Sequence, residues 1–399
     1  MSSILYLSLT GMTEPLGRSQ VLEYLIDLSQ KNQINLISFE RVEDLESVEE
    51  IKDLIAPYNI EWSYLSYSNK YGVFSTIAQI LKVIKLASKT IKQKSIESIH
   101  ARSMIPATIA MILKKIYGVK LLFDIRGFAI DEKLDSGRLQ KNSLLFKLLK
   151  ALDNYLYRAS DHIVTLTYKA KDILIESQNI SEDAITVIPT CASREVFHKL
   201  DDVECRSFKQ SLGYRDDDKI IIHTGTVSGW YDFDNELRVV KELMSVDEDI
   251  HFLVLNKNEH KFINELLEKY ALDMQRVRVG STSFGDMHKY LSIADASLFF
   301  IKPSYSKQAS APTKFAENVA CYLPSITNRG VGDMEFYMER YAVGYLVDLE
   351  YLDLPQVSRD IVTMIEESSF DMQVFDELFS THFDKDMAVE KYQGIYEQL

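Results

Sequence analysis

Three side chains on adjacent turns of a predicted helix have the types and spacing that could hold a nucleotide. Thr313 and Lys314 stand in the first turn of a helix predicted over residues 312–322, and Glu317 follows three residues after the lysine. Because the free N–H groups and the dipole of a helix N-terminus favour an anion, a phosphate is expected at this turn, with the threonine hydroxyl and the lysine ammonium as further donors. The Glu317 carboxylate would accept hydrogen bonds from a ribose diol.

The start of this helix is predicted from the residues before it. Pro312 suits the first turn, where a missing N–H costs nothing, and the Ser310 hydroxyl is expected to cap the exposed donors. The alternative is that Lys314 and Glu317 form an ordinary surface ion pair at an i, i+3 spacing. The residues alone leave both interpretations open.

A glycine-containing loop precedes the first predicted helix of the chain. Gly11 and Gly17 follow an apolar strand, residues 4–9, and Arg18 stands where the helix begins. The spacing is not that of GxGxxG and no acidic residue follows at the ribose distance, so a dinucleotide site is not expected. Either the loop amides approach a ligand, or the glycines only satisfy the backbone geometry of a strand-to-helix turn.

An arginine and several carboxylates follow another predicted strand, residues 120–124. Arg126 can neutralise phosphate charge or clamp a carboxylate with two hydrogen bonds. The alternative is a buried pairing with Asp124 or Asp131. Asp131 and Glu132 are the carboxylate pair that could serve as a base or bind an acceptor.

Two further glycines follow predicted strands in the second half of the chain. Gly225 and Thr226 come after residues 219–223, and Gly280 comes after residues 276–279. Trp230, a few residues after the first of these glycines, would stack on a base or sugar, or pack as a core aromatic.

Composition narrows the classes of function. The 399 residues are 46% hydrophobic and 26% charged, as in ordinary soluble proteins, and are enough for two domains. The net charge of −14 argues against a nucleic-acid partner. Cys191, Cys205 and Cys321 are isolated, which argues against a disulfide or zinc framework. With no apolar run near the ~20 residues that span a bilayer, a cytoplasmic location is expected.

Predicted strands and helices alternate along the chain, which indicates parallel sheets covered on both faces. The pattern predicts an α/β fold of two Rossmann-like domains, residues 1–190 and 191–380, divided after Pro189. Residues 381–399 are expected to form a helix that packs back on the first domain.

Several segments of the chain resemble bacterial glycosyltransferases of the large retaining family 4, which have the GT-B fold of two Rossmann-like domains facing a central cleft. In that family a Pro-Ser after a strand leads into a helix whose Glu holds the ribose, followed by a Gly-x-Pro-like step. Pro303-Ser304, Glu317 and Leu323-Pro324 occupy these places. The first loop resembles the Gly-Met-Thr-Asp-Pro-Leu-Gly-x-Ser-Gln opening of one subgroup.

Two departures from the family pattern affect the expected donor site. The family has two glutamates eight positions apart, and the first, which touches the donor sugar, falls here on Ala309. The family also places an Arg and a Lys shortly after the glycine that matches Gly225, and neither is present. Phosphate would then be bound by the amides of residues 226–229 and by Lys302 or Lys314, with Arg18 or Arg126 from the facing domain.

The resemblance implies a donor on the second domain, UDP- or GDP-linked, an acceptor on the first, and neither a metal nor another cofactor. The residues expected to bind the nucleotide sugar are Gly17, Arg18, Gly225, Thr226, Gly280, Lys302, Ser310, Thr313, Lys314 and Glu317. Arg126, Asp131 and Glu132 are the candidate catalytic residues.

A basic stretch is the candidate for a membrane surface. Residues 70–120 carry ten Lys or Arg, beginning at Lys70, against Glu97 alone, in a chain that is acidic overall. Basic amphipathic helices lie against anionic lipid, although an ordinary solvated helix face is the alternative. The lysines expected to face the membrane are Lys82, Lys85, Lys89, Lys92, Lys114 and Lys115.

The sequence therefore predicts a glycosyltransferase of surface-polysaccharide assembly, such as capsule or O-antigen, that moves a sugar from a nucleotide-sugar donor to a saccharide or lipid-linked acceptor. Retention at the anomeric carbon is the family expectation. The alternatives are a sugar-nucleotide epimerase of the same fold and a non-catalytic scaffold of a glycan-assembly complex. The alanine at position 309 and the missing Arg and Lys pair leave the scaffold open.

Overall fold

The computed structural model describes residues 1–41, 47–67, 73–367 and 370–399. Lys70, the first lysine of the basic stretch, lies outside these ranges. The chain divides into two compact units, Met1–Pro189 with Lys385–Leu399, and Thr190–Asp384.

The N-terminal unit is built on a seven-stranded parallel sheet of order β3-β2-β1-β4-β5-β6-β7. Its central strands, at residues 2–8, 98–102 and 120–124, are largely buried on both faces, as expected for parallel strands covered by helices. The strands of the sheet are β1 Ser2–Ser8, β2 Asn32–Arg41, β3 Ile60–Tyr67, β4 Ser98–Arg102, β5 Lys120–Asp124, β6 His162–Thr165 and β7 Ile185–Val187. The helices of this unit before residue 190 are α1 Pro15–Gly17, α2 Glu23–Leu28, α3 Val48–Ile55, α4 Val73–Lys94, α5 Met104–Tyr117, α6 Ala129–Asp135, α7 Leu144–Ala159 and α8 Tyr168–Gln178.

The second unit has a six-stranded parallel sheet of order β10-β9-β8-β11-β12-β13. The strands are β8 Lys219–Thr224, β9 Ile250–Leu255, β10 Val277–Gly280, β11 Ala296–Leu298, β12 Ser325–Asn328 and β13 Gly344–Val347. The helices are α9 Asp202–Ser211, α10 Phe233–Val246, α11 His260–Lys269, α12 Met287–Ile293, α13 Thr313–Ala320, α14 Met334–Tyr341, α15 Leu354–Glu367 and α16 Met372–Leu378. Alternate residues of β8 enter two core clusters, Ile220 and Ile222 on one face and Ile221 on the other, so both faces are covered.

The last helix, α17 Lys385–Gln398, belongs to the N-terminal unit. Gln393 accepts a hydrogen bond from Asn32 at 2.7 Å, and Lys385 lies 2.9 Å from the carboxylate of Asp27. Within the described ranges, no helix has the length and apolar character needed to cross a membrane.

Both sheets reverse their strand order once, between β1 and β4 in the first and between β8 and β11 in the second. In open α/β sheets, ligands bind at such points, beyond the carboxyl ends of the strands. The predicted fold class of two parallel Rossmann-like domains is confirmed. In the second sheet, two loops therefore lie beside the reversal: residues 225–231, after β8, and residues 302–312, after β11.

The predicted start of the helix after β11 is wrong. The helix α13 begins at Thr313, with Pro312 in an extended conformation at the N-cap, and no side chain of the described residues caps it there. Ser310 instead ends a short 3-10 helix, Ser306–Ala309, by donating its N–H to the Lys307 carbonyl at 3.2 Å. In the N-terminal unit, residues 129–135, for which the sequence predicted no helix, form α6.

Candidate functional site

The first turn of α13 holds a buried cation, the Lys314 ammonium. The Lys314 side chain is 6% exposed, and its Nζ has no hydrogen-bond partner among the described residues. The nearest group is the ring of Tyr231, whose centroid lies 3.9 Å from Nζ. Burial lowers the pKa of Lys314 to about 8, against the opposing attraction of Glu236 and Glu317. A buried ammonium of this kind is stabilised by an incoming anion.

Glu317 lies one turn further and is half-buried. No ion pair within 4.0 Å joins it to Lys314 in the described part of the chain, so the surface ion pair considered from the sequence is not formed. Burial raises the pKa of Glu317 to about 7, although the charge of Lys314 opposes this. Its carboxylate is thus available to a hydrogen-bond donor such as a hydroxyl.

The loop after β8 lies against the same lysine. A Cβ placed on Gly225, whose φ is +86°, would lie 3.9 Å from the Lys314 Nζ, so two predicted residues from separate loops are brought together. Lys302 reaches the loop as well, because its Nζ donates to the Gly229 carbonyl at 3.1 Å. Thr313 is half-buried at the start of the helix.

Part of this loop already binds an anion of the chain itself. The Glu259 carboxylate accepts hydrogen bonds from the Thr226 hydroxyl at 2.6 Å and the Val227 N–H at 3.0 Å. Although burial raises the pKa of Glu259, hydrogen bonds from Ser228, Thr226 and their neighbours lower it to about 2. The Val227 amide, within the segment expected to bind phosphate, is therefore occupied. Gly280 ends β10, and its carbonyl accepts from the Asn256 N–H at 2.8 Å.

Sequence reasoning missed a buried carboxylate beneath this loop. Glu236 is fully buried and accepts hydrogen bonds from the Phe300 N–H at 2.9 Å and from His223, whose Nδ1 lies 2.6 Å away. The feature of the sequence that could have identified Glu236 is its position on the apolar face of α10, between Phe233 and Leu237. Glu236 ties the ends of β8 and β11 together and attracts the Lys314 ammonium.

In the N-terminal unit, Arg126 belongs to a buried cluster of charges. Its Nη1 lies 3.8 Å from one oxygen of Asp124, and the Nη1 of Arg102 lies 3.6 Å from the other. Burial raises the pKa of Asp124, but Arg126, His100 and Arg102 together lower it to about 2. Two guanidinium groups share one carboxylate, which leaves an excess positive charge at this edge of the sheet.

The pairing with Asp124 considered from the sequence is therefore present, whereas no ion pair joins Arg126 to Asp131 among the described residues. Arg126 has a left-handed backbone, φ 52°, and Ser103 at the end of the neighbouring strand has φ 78°. Strained backbones of this kind cluster at functional sites.

Two tyrosines of the last helix, α17, contact this cluster. The Tyr392 hydroxyl donates to Asp124 at 3.2 Å, and the Tyr396 hydroxyl lies 2.7 Å from Nδ1 of His100. Burial lowers the pKa of His100, which keeps the ring neutral. These tyrosines, separated from Asp124 by more than 260 positions, could not be assigned to the site from sequence.

The two candidate carboxylates of α6 have other surroundings. Asp131 is 5% exposed and accepts a hydrogen bond from the Lys150 ammonium of α7 at 2.6 Å. Glu132, half-buried, follows it in the first turn of α6. The structure thus gives Asp131 a partner that holds α6 against α7.

The first loop is packed around a carboxylate as well. Glu40, fully buried, accepts from the N–H groups of Met12 at 2.9 Å and Thr13 at 3.1 Å. A Cβ on Gly17 would lie 1.8 Å from the Gly11 carbonyl oxygen, so backbone packing alone requires this glycine. Arg18 forms an ion pair with Glu50 of α3.

Comparisons with known proteins agree with this architecture. Residues 31–195 match the family model described as Glycosyltransferase Family 4. The phosphatidylinositol N-acetylglucosaminyltransferase GPI3 subunit of Saccharomyces cerevisiae (strain YJM789) is 23% identical over 241 residues, which are 60% of this chain and 51% of that protein. The chain thus spans about half the length of the curated relatives it matches.

Two solved structures share the fold over the whole chain. A glycosyltransferase from Rickettsia africae ESF-5 has a TM-score of 0.71 at 17% identity, covering 100% of this chain and 98% of that one. Anabaena Alr3699/HepE, solved in complex with UDP and glucose, has a TM-score of 0.72 at 15% identity, covering 100% of both chains. Residues 31–195 are therefore similar to glycosyltransferase family 4, and the two units have the Rossmann-like architecture of GT-B glycosyltransferases.

Proposed function

We propose that this protein is a glycosyltransferase that moves a sugar from a nucleotide-sugar donor, UDP- or GDP-linked, to a saccharide or lipid-linked acceptor. The observation that carries the proposal is the first turn of α13, where the buried Lys314 ammonium has no hydrogen-bond acceptor in the part of the chain that the structure describes, and Glu317 follows one turn later. The match to the family model and the UDP bound by Anabaena HepE support a nucleotide sugar as the donor.

The chemistry follows from the charges that change during transfer. Breaking the bond between the sugar and the diphosphate places negative charge on the leaving oxygen, which a fixed ammonium and the N–H groups of a helix terminus stabilise. Lys314 and the amides of Thr313 and its neighbours would do this without a metal ion. Glu317 would hold the ribose, and the transfer would proceed with retention at the anomeric carbon, as in the family that the sequence resembles.

The acceptor is proposed to bind the N-terminal unit near Arg126, whose excess positive charge suits an anionic group on it. A cavity of about 500 Å³ beside the first loop is lined mainly by apolar side chains, among them Leu9, Phe39, Ile80 and Ile105. Such a cavity suits the hydrocarbon part of a lipid-linked acceptor in surface-glycan assembly.

The membrane face is proposed to lie on α4 and α5. Five of its six lysines are exposed, namely Lys82, Lys85, Lys89, Lys92 and Lys115. Lys114 is the exception, since its ammonium pairs with Asp161 and donates to the Ala159 carbonyl at 3.0 Å. Replacing Lys82, Lys85, Lys89 and Lys92 by serine should reduce co-sedimentation with anionic vesicles; unchanged binding would refute this face.

The test is incubation with a panel of nucleotide sugars, with Glu317→Gln as the informative variant. Release of a nucleoside diphosphate supports the transferase. The rate of release should be lower in the variant, because one carboxylate oxygen that accepts a hydrogen bond from the ribose is lost. Isomerisation of the sugar without release would indicate the epimerase alternative. No turnover and no binding of any nucleoside diphosphate would contradict the proposal and favour the scaffold.

A further inference from the structure

The outer surfaces of α5 and α7 are apolar, whereas a helix that faces water is normally polar on that side. Within each helix, most of the exposed apolar residues stand four or seven positions apart, so they lie along one side of it. We call this surface the apolar face. Its six side chains are 37–72% exposed, namely Ile105, Ile112, Ile116, Leu144, Leu145 and Leu148.

The two helices run side by side, so their exposed residues form one surface. α5 leads from the end of β4 to the start of β5, and α7 leads from β5 toward β6. Because these strands are parallel neighbours and such crossovers are right-handed, both helices cover the same face of the sheet and run in the same direction. The Lys115 Nζ lies 5.1 Å from the centroid of the Tyr155 ring, which sets the alignment of the helices. Ile105 is therefore level with Leu145, at the first turns of the two helices.

The exposed charges around the apolar face are basic. α4 and α5 contain no Asp or Glu, and the single acidic residue of α7, Asp153, is buried. The exposed charged side chains of α5 and α7 are Lys115, Lys147 and Arg158, and those of α4 are Lys94 and the four lysines of the proposed membrane face. Since the net charge of the chain is −14, this surface is opposite in sign to the protein as a whole.

The apolar face continues into the cavity beside the first loop. Ile105 lines that cavity together with Leu9, Leu16, Phe39 and Ile80. This is the cavity proposed for the hydrocarbon part of a lipid-linked acceptor. A hydrocarbon chain that entered it past Ile105 would leave a bilayer without crossing water.

An anionic bilayer fits this surface better than a second copy of the chain does. A two-fold interface brings the same patch of both copies together, and here it would place basic residues against basic residues. A bilayer instead offers negative headgroups above an apolar layer, which complements an apolar face with basic neighbours.

We infer that the apolar face inserts into an anionic bilayer, so that Leu144, Leu145 and Leu148 contact the acyl chains while the neighbouring basic side chains bind the lipid headgroups. The inference rests on the proposed function, whose membrane face consists only of lysines of α4 and α5. It adds α7 as a membrane-binding element and a contribution to binding that salt does not screen.

The experiment measures co-sedimentation of the full chain with vesicles of phosphatidylethanolamine and phosphatidylglycerol. Raising NaCl from about 0.1 M to about 1 M shortens the Debye length from about 10 Å to about 3 Å and so suppresses the contribution of the lysines. The wild type should retain part of its binding at high salt. The triple variant Leu144→Gln, Leu145→Gln, Leu148→Gln should partition about tenfold to a hundredfold more weakly at both salt concentrations, because the burial of apolar surface is lost.

The matched control is a triple variant of the second unit, Val203→Gln, Val246→Gln, Met274→Gln, whose three side chains are also exposed and apolar. It should sediment with vesicles as the wild type does. A second measurement tests insertion directly. The fluorescence of Leu148→Trp should be quenched by lipids with brominated acyl chains more than that of the wild type, whereas Val203→Trp should add no quenching.

The outcomes separate this inference from the proposed function. If the triple leucine variant, with an unchanged melting temperature, binds vesicles as the wild type does and Leu148→Trp adds no quenching, the inference is refuted, while a loss of binding in the lysine-to-serine variant would leave the lysine face standing. A wild-type dimer that the leucine substitutions convert to a monomer, with vesicle binding unchanged, would refute it in favour of a second copy. Absence of vesicle binding by the wild type would contradict both membrane proposals, and release of a nucleoside diphosphate would still decide the transferase.

Discussion

Replacing Lys314 by methionine should stabilise the unliganded protein while abolishing its binding of nucleoside diphosphates. The pKa of this lysine is lowered from 10.5 to about 8 by burial. At about 1.4 kcal/mol per pKa unit, keeping the buried lysine protonated at pH 7 costs roughly 3 kcal/mol. Loss of the contact with the Tyr231 ring offsets about 0.5–2 kcal/mol of this, and methionine fills a similar volume.

The expected net gain is therefore about 1–3 kcal/mol, or several degrees in melting temperature for a unit of this size. The gain should depend on pH in a defined direction. Because the pKa of the folded lysine lies below its unfolded value, the wild-type protein recovers stability as the pH rises through 8 toward 10.5. The difference between the variant and the wild type should shrink by about 2 kcal/mol between pH 7 and pH 9.5, which removes most of it.

Thermal melts of both proteins at pH 7 and pH 9.5, together with calorimetric titration of UDP and GDP, measure these effects. Lys261→Met, an exposed lysine in the same unit, should alter neither melting nor binding. A variant that is less stable than the wild type at pH 7, or a stability difference that does not shrink at high pH, would show that Lys314 is a structural residue.

Two further predictions concern the N-terminal unit. Arg126→Met should lower turnover far more than the melting temperature, because Arg102 still neutralises Asp124 once the second guanidinium is gone; a large fall in the melting temperature with normal turnover would make Arg126 structural. Gly17→Ala should lower the melting temperature, since its Cβ would lie 1.8 Å from a carbonyl oxygen, whereas Gly285→Ala, with nothing within 4 Å, should not; equal melting temperatures would show that the first loop can relax.

The fold was predictable because its signals are local. Apolar runs such as β1 and β8, separated by amphipathic helices, are enough to indicate parallel sheets covered on both faces. The short helix α6 was missed because its seven residues follow the strained backbone at Arg126. The residue type at that position does not predict this strain.

The site was only partly predictable, because several of its contacts join distant segments. Lys314 and Gly225 were expected at one phosphate only through the family resemblance, because no local pattern in the sequence places them together. The carboxylates of Glu40 and Glu259, which occupy amides of two glycine-containing loops, are separated from their partners by about 30 positions. A side chain that accepts hydrogen bonds from the backbone of a distant loop leaves no periodic pattern in the sequence.

A crystal structure with a bound nucleoside diphosphate tests the central claim most directly. The proposed function predicts density for the diphosphate at the first turn of α13, with an oxygen within hydrogen-bond distance of the Lys314 ammonium and the ribose hydroxyls on the Glu317 carboxylate. A nucleotide bound elsewhere in the chain, with this turn empty, would contradict it.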